Sequence, residues 1–256
     1  MNNDLRLRQI CLVVQDLTAL EAHLAAVLDL HSVHQDANLS RYGLENRIFA
    51  LGPRFVEVVA PIEENTAAGR FLERSEGRGG YMAIFDCEDP EQRARHAESL
   101  GVPVISRLHH ESYTGRQLHP RDCRAAMIEF NHTEGGEALD GPYWPAGPDW
   151  QQGAVSSLVQ RLDGIDLSTP VPEDLALHWA KILQSDAGQK QQDFRIDAGG
   201  IDVRFCFGDD PRERLDALRV TVSDVERVLE SARRRDLPTG PDYFELAGVD
   251  WRLRAA

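Results

Sequence analysis

Four segments of the chain follow one pattern: an apolar strand, a helix-start signal, then a helix of about three turns. They open at Arg8–Asp16, Tyr81–Asp89, Leu162–Pro170 and Leu215–Asp224. A repeat of this kind limits the fold more than any single motif, and it aligns the positions at which site residues would recur.

In the first copy, strand 8–14 leads to Asp16, which can cap a helix over 17–29 whose apolar face is Leu17, Leu20, Leu24, Val27 and Leu28. Strand-like stretches follow near 31–35, 46–51 and 54–60, the last two flanking Gly52-Pro53 as a hairpin would, so the unit reads βαβββ. The second copy has strand 81–87, the cap-and-proline pair Asp89-Pro90, a helix to about Leu100 stopped by Gly101, and strands near 103–108, 114–119 and 125–131. The Pro-, Gly- and Trp-rich stretch Gly141–Trp150 reads as a linker or a strap over the surface. The third copy has a helix over 173–184 after Pro170 and Pro172, then strands near 193–197 and 201–207 around the turn Gly199-Gly200. The fourth has strand 215–222, the capping box Ser223-x-x-Glu226, a helix to about Arg235, and short strands near 242–246 and 249–254.

The 256 residues allow one large or two medium domains, and 27% charged with 42% hydrophobic residues is an ordinary globular composition. No apolar run approaches the roughly 20 residues that span a bilayer. The segment Met1–Arg6 lacks the basic and apolar regions of a signal peptide, so a cytoplasmic location and no membrane partner are expected. A net charge of -14 argues against a nucleic-acid partner and fits simple solubility. All but Lys181 and Lys190 of the 28 basic residues are arginine, which leaves few amines for Schiff-base chemistry. Cys11, Cys87, Cys123 and Cys206 form no CxxC pair, so no thiolate zinc site is expected.

Paired βαβββ units resemble the vicinal oxygen chelate superfamily, which includes glyoxalase I, methylmalonyl-CoA epimerase, bleomycin-resistance proteins and extradiol dioxygenases. The segment His119-Pro-Arg-Asp-Cys-Arg-Ala-Ala-Met-Ile-Glu129-Phe is similar to the epimerase-type segment in which HPKD precedes a strand ending in a ligand Glu. Arg8–Leu17 is similar to the family's first strand, and the likeness covers about 5–131 in detail and 157–254 only as a unit pattern. The resemblance implies an α+β fold of tandem βαβββ modules in two cup-shaped mixed sheets. The domains are then 1–140, a linker at 141–156, and a degenerate second domain at 157–256. It also implies a small-molecule ligand, and a homodimer is plausible because sheet edges pair in this family.

In such a cup a divalent metal is held by one residue from each of four strands. Carried over by the resemblance, those positions are Gln9, Glu57, Met82 and Glu129. The usual occupants are His at the first and third, and Glu or Gln at the others. Gln9 is a weak neutral donor and Met82 suits soft metals, so no cofactor is expected beyond a loosely held divalent cation such as Mg or Ca. Strand alternation puts Gln9, Cys11 and Val13 on one face and Ile10, Leu12 and Val14 on the other, toward the helices. Glu57 lies between Val56 and Val58, and Glu129 between Ile128 and Phe130, so both carboxylates are expected to enter the cup.

Each of these residues also has a plain structural reading. Glu57 and Glu129 either form the site or hydrogen-bond Gln9, Arg54 or Arg124 in a network. His119 is either an acid or base at the mouth, with Arg124 near it, or a loop-end residue. His109-His110 suits a solvated loop, since adjacent residues on a strand point apart. His23, His96 and His178 are expected at helix surfaces, and a reactive Cys123 lacks a paired base. In the second half, Gly164 and Ala217 stand at the strand-one ligand positions, and Arg204 and Arg252 interrupt the late strands, so no metal set forms. Two function classes follow. One is isomerase or lyase chemistry on a small oxygen-rich molecule with Glu129 or Glu57 as base, aided by Gln9 or Arg124. The other is non-catalytic sequestration of the bleomycin-resistance type.

Overall fold

The computed structural model describes residues 5–256. The first module comprises β1 (Arg6–Val13), α1 (Leu17–Leu28), β2 (Ser32–His34), β3 (Leu44–Leu51) and β4 (Arg54–Pro61). A connecting helix α2 (Ala67–Arg74) leads to the second, with β5 (Gly80–Asp86), α3 (Pro90–Ser99), β6 (Val104–His110), β7 (Tyr113–Leu118), α4 (Pro120–Cys123) and β8 (Met127–Thr133). After the single turn α5 (Trp150–Gly153) the third has β9 (Val159–Thr169), α6 (Pro172–Leu183), β10 (Gly188–Lys190), β11 (Asp193–Asp197) and β12 (Asp202–Phe207). The fourth has β13 (Arg214–Val222), α7 (Val225–Arg233), β14 (Tyr243–Leu246) and β15 (Val249–Ala255).

The strands form two curled mixed sheets, ordered β2-β3-β4-β1-β5-β8-β7-β6 and β10-β11-β12-β9-β13-β15-β14. The class is α+β with tandem βαβββ modules. The start signals act as the sequence suggests. Asp16 accepts from the Ala19 amide at 2.8 Å, and Asp89 accepts from Gln92 at 2.9 Å ahead of Pro90. The fourth cap is shifted by one residue. The Ser223 amide still extends the sheet by donating to the Leu158 carbonyl at 2.8 Å, so Asp224 caps instead, accepting from Arg227 at 3.0 Å. Gly199 and Gly200 have φ of 74° and 83°, the paired positive values of a type I′ hairpin turn. Helices α2 and α4 and strand β10 escape the sequence pattern, because segments this short carry too few apolar positions to show a period; α2 buries only Ala68 and Leu72.

Compactness groups the modules differently from sequence order. Among the described residues one unit comprises 5–9, 82–144 and 164–216, which unites most of the second and third modules; the other comprises 10–81, 145–163 and 217–256, which unites the first and fourth.

In the first unit Phe85 of β5 and Phe205 of β12 meet Trp179 of α6, which is fully buried. Its ring lies 6.3 Å from that of Phe85 and 5.8 Å from that of Phe205, both edge-on, and its indole N–H donates to the Cys123 carbonyl at 2.9 Å. Helix α3 serves the end of α6: Arg93 donates to the Leu183 carbonyl at 2.7 Å, and the His96 ring lies 2.8 Å from the Lys181 carbonyl. These are the carbonyls a helix leaves unpaired in its last turn. His178 likewise meets the Asp122 carbonyl at 2.8 Å, so His96 and His178 are half-buried and bonded instead of solvated.

In the second unit α1 and α7 are joined by Ser231, whose hydroxyl donates to the Ala26 carbonyl at 2.8 Å. The rings of Phe55 and Trp150 meet edge-to-face at 5.0 Å. Gly79 is a site of close approach: a β-carbon there would stand 2.3 Å from the Val13 carbonyl oxygen and 2.5 Å from that of Ala247. Among the described residues no helix is long and apolar enough to cross a membrane.

Trp179→Ala removes the ring that β5 and β12 share and orphans the Cys123 carbonyl. A loss of about 3–5 kcal/mol is expected in urea denaturation. A loss under about 1 kcal/mol would show that this core does not depend on the indole.

Candidate functional site

The site is built by the pairing of β7 with β8. Gln117 stands opposite Glu129 and Gly115 opposite Asn131, and opposed residues share a sheet face. Alternation therefore gathers Tyr113, Gly115, Gln117, Glu129 and Asn131 on one face. The Glu129 carboxyl is 3% exposed. One of its oxygens accepts from the Tyr113 hydroxyl and the other from the Gln117 amide at 2.8 Å. The Asn131 amide nitrogen lies 3.4 Å from the Tyr113 hydroxyl and 3.2 Å from that of Tyr143. Gly115 makes room: a β-carbon there would sit 3.1 Å from the Tyr113 hydroxyl and 3.2 Å from a Glu129 oxygen.

Tyr113, Gln117 and Asn131 are neutral donors to Glu129. Burial raises its pKa above the ordinary glutamate range, and the bonds from Tyr113, Gln117 and Asn131 offset this only in part. Burial also holds the Tyr113 and Tyr143 phenols well above 10, and the Glu129 charge adds to the effect at Tyr113.

Strand β5 runs parallel beside β8, with Met82 opposite Met127, Ile84 opposite Glu129 and Asp86 opposite Asn131. Met82 thus shares the Glu129 face. The β1 residue whose contacts lead there is Arg8: its guanidinium lies 5.0 Å from the centre of the Tyr143 ring. Arg6 on the same β1 face pairs with Asp86. Alternation that carries Arg8 toward Tyr143 carries Gln9, 2% exposed, to the opposite side of the strand, where the expected facing put it in the cup. Burial pushes the Arg8 guanidinium below its ordinary value and the Asp86 carboxyl above its own, with Arg6 and Arg8 countering the latter.

Glu57 lies in the second unit, half-buried on β4 opposite Ile48, where the Asn46 amide donates to it at 2.6 Å. Asn46 in turn accepts from the Asp36 amide at 2.8 Å. His119 precedes α4, with its Nδ1 3.0 Å from Asp122. Arg124, expected as a ligand for an anion, is held by Glu213 and by Asp174 at 2.6 Å. Cys123 is fully buried, and burial pushes its thiol up to about 12, which removes the thiolate a nucleophile needs. His110 stacks on Trp144 at 5.1 Å, so it is not a bare loop residue. On β12, Arg204 stands opposite Asp166 of β9 and forms a two-bonded pair with it, one contact at 2.8 Å. An internal ion pair thus takes the place of a ligand set there.

The sequence reading named Glu129 and Met82, which share this face, and did not name Tyr113, Gln117, Asn131, Arg8 or Tyr143, which lie on it or reach it. The first three were within reach, since they sit at two-residue spacing on strands the sequence already showed. Tyr143 was not, because nothing local says where a strap lays its side chains.

The donor set does not fit a divalent metal. Met82 offers a thioether, both Glu129 oxygens already accept hydrogen bonds, and the β1 side chain on that face is a cation. Among the described residues no three His, Cys, Asp or Glu side chains are grouped to hold an ion.

Comparison with known proteins agrees with this architecture. Residues 10–183 match the model of the Glyoxalase-like domain, and the chain belongs to that family within the vicinal oxygen chelate superfamily. The structure resembles that of a hypothetical protein from Staphylococcus aureus, at 12% identity and a TM-score of 0.69, over 98% of this chain and 100% of that one. Weaker likenesses include Streptomyces coelicolor methylmalonyl-CoA epimerase in complex with 2-nitronate-propionyl-CoA, at 20% identity and a TM-score of 0.46, over 50% of this chain and 96% of that one. The Mycobacterium tuberculosis methylmalonyl-CoA epimerase gives 20% and 0.45 over 50% and 87%. No curated protein matches the sequence.

Two outcomes are expected. Because the folded pKa of Glu129 is raised, the folded state binds the extra proton. The stability this gives is complete below the ordinary glutamate pKa and is lost as pH rises through the folded value. Glu129→Gln lacks that loss, so its urea-unfolding free energy relative to wild type should improve from about pH 4 to about pH 8. A difference that stays constant with pH would contradict the raised pKa. Elemental analysis of protein purified without chelators should give no stoichiometric Zn, Fe or Mn; such a metal, lost on Glu57→Ala, would contradict the donor-set reading.

Proposed function

We propose that the protein catalyses proton transfer on a small oxygen-rich molecule, as an isomerase or lyase, with Glu129 as the base. The observation that carries this reading is a carboxyl buried among Tyr113, Gln117 and Asn131 with its pKa raised by burial. A carboxylate of raised pKa is a stronger base than one in water, and it is closer to the operating pH of general base catalysis. Glu129 would take a proton from a carbon next to a carbonyl, leaving the electron pair on the carbonyl oxygen as an enolate. The same carboxyl would return the proton. The Asn131 amide, whose hydrogen bonds to the two phenols are long, is placed to donate to that oxygen.

One observation favours the second class, a sequestering protein. Trp144 stacks on Tyr113 and the Tyr143 hydroxyl accepts from Asn131, so the carboxyl's neighbours are themselves packed in, which suits retention of a ligand as well as turnover.

The test is solvent-deuterium incorporation, followed by proton NMR, across a panel of small 2-oxo and 2-hydroxy acids. Wild type should label the carbon beside the carbonyl of at least one compound. Glu129→Gln should lose at least about a hundredfold in rate while remaining fully folded at the assay pH. A ligand that binds without exchange would establish sequestration instead.

A further inference from the structure

The fourth module carries an arrangement of charge that the proposed reaction does not use. On its strands alternate side chains are apolar and fully buried, with the Phe244 and Trp251 rings stacked at 5.9 Å. The residues between them share the opposite face. Strand register sets that face in rows. Arg219 of β13 stands opposite Arg252 of β15, and Arg252 stands opposite Tyr243 of β14. One row on, Thr221 stands opposite Arg254. In the other direction Asp250 stands opposite Ala217 and Glu245. Arg161 of β9 joins through Asp163, which accepts from it at 2.8 Å, accepts from the Thr221 hydroxyl and lies 3.5 Å from Arg254.

Like charges directly opposite each other destabilise paired strands, and Arg219 with Arg252 is such a pair. The chain as a whole has a net charge of -14, yet arginine outnumbers carboxylate on this face. The face is also open, with the Arg252 side chain 42% exposed and that of Arg254 67%. Asp250 accepts from Arg252 at 3.1 Å. An ion pair this exposed is weak, and a guanidinium with five donors can engage an anion alongside it. Neighbouring strands lie about 4.8 Å apart, close enough for two forks to share one anion. A single fork matches a planar carboxylate, whereas three guanidinium groups match a phosphoryl group, whose three terminal oxygens spread in three directions.

We infer that this face of β13 and β15 binds a phosphoryl group, that of a small phosphate ester or inorganic phosphate, among Arg219, Arg252 and Arg254. The row of Asp250 and Glu245 bounds the site on one side and turns any second anionic group of the ligand away from it. The inference goes beyond the proton transfer proposed above and does not depend on it, because Glu129 belongs to the other compact unit. It also gives the fourth module a role that the sequence pattern hides. Arg252, which interrupts a late strand where the first half has a carboxylate, makes the position a receptor for anions.

The test uses the full chain in calorimetric titration at constant ionic strength, with inorganic phosphate, glycerol 3-phosphate and acetate as probes. At least one phosphate probe should saturate a single site, and acetate should bind at least about tenfold more weakly. Tighter binding of glycerol 3-phosphate assigns the site to an ester, and tighter binding of phosphate assigns it to the free ion. Arg219→Gln and Arg252→Gln should each weaken binding at least about tenfold. Glu245→Gln should strengthen it about twofold, because a like charge beside the anion is removed. If a Gln variant does not fold, Arg252→Lys keeps the charge, loses the fork and should still weaken binding several-fold. Glu129→Gln should bind the phosphate probe as wild type does, whatever its effect on solvent exchange. The inference is overturned if neither phosphate probe saturates by about 10 mM, if acetate binds as tightly as phosphate, or if the folded arginine variants keep wild-type affinity.

Discussion

A carboxyl group taken out of water needs either a compensating charge, a set of hydrogen bonds or a proton, and Glu129 has hydrogen bonds from neutral side chains. Three neutral side chains on two strands face it, and Gly115 between them leaves the space they need. The register of β7 on β8 is thereby tied to the site. A slip of one residue would turn Tyr113 and Gln117 away from Glu129 to the apolar side, where Phe130 meets Phe85. Packing on one face and polar satisfaction on the other demand the same alignment, so the site is as rigid as the core it backs on to.

Charge in the rest of the first unit is handled by arginine forks. Arg204 meets Asp166 with two bonds, Arg124 meets Glu213 likewise and adds Asp174, and Arg6 meets Asp86. At Arg204 and Glu213 burial opposes the charged form, and the paired hydrogen bonds outweigh it, keeping the guanidinium above and the carboxyl below their ordinary values. The near-absence of lysine is consistent with this. A planar guanidinium satisfies a half-buried carboxylate where an ammonium would leave one oxygen open. A pair of this kind also stands in the degenerate half, where Arg204 and Asp166 neutralise each other.

The pairing of modules in the compact units has a simple cause. In the first unit α3 and α6 come from different halves of the chain, and Trp179 is wedged among strands of both. The helix face of a βαβββ module is apolar, and a second module's helix face covers it. The apolar repeat in the sequence records that each module has such a face, without recording which module covers which.

The fourfold repeat, the caps at Asp16 and Asp89, the Gly199-Gly200 turn and the α+β class were all legible in the sequence, because period, capping and turn chemistry act over fewer than about five residues. Alternation likewise showed that Glu129 stands on a different face from Ile128 and Phe130. What it could not show was which β1 residue joins that face, since facing across a sheet depends on the register of β1 against β5, and there Arg8 comes to the Tyr143 side where Gln9 was expected. Nor could it show the capture of Arg124 by Glu213, a residue 89 positions away, or the placement of Tyr143 beneath the strap. Local rules determined the strands, the helices and the faces; long-range pairing alone decided which charged and aromatic groups from distant segments share one face, because no local pattern encodes the partner of a side chain that crosses between modules.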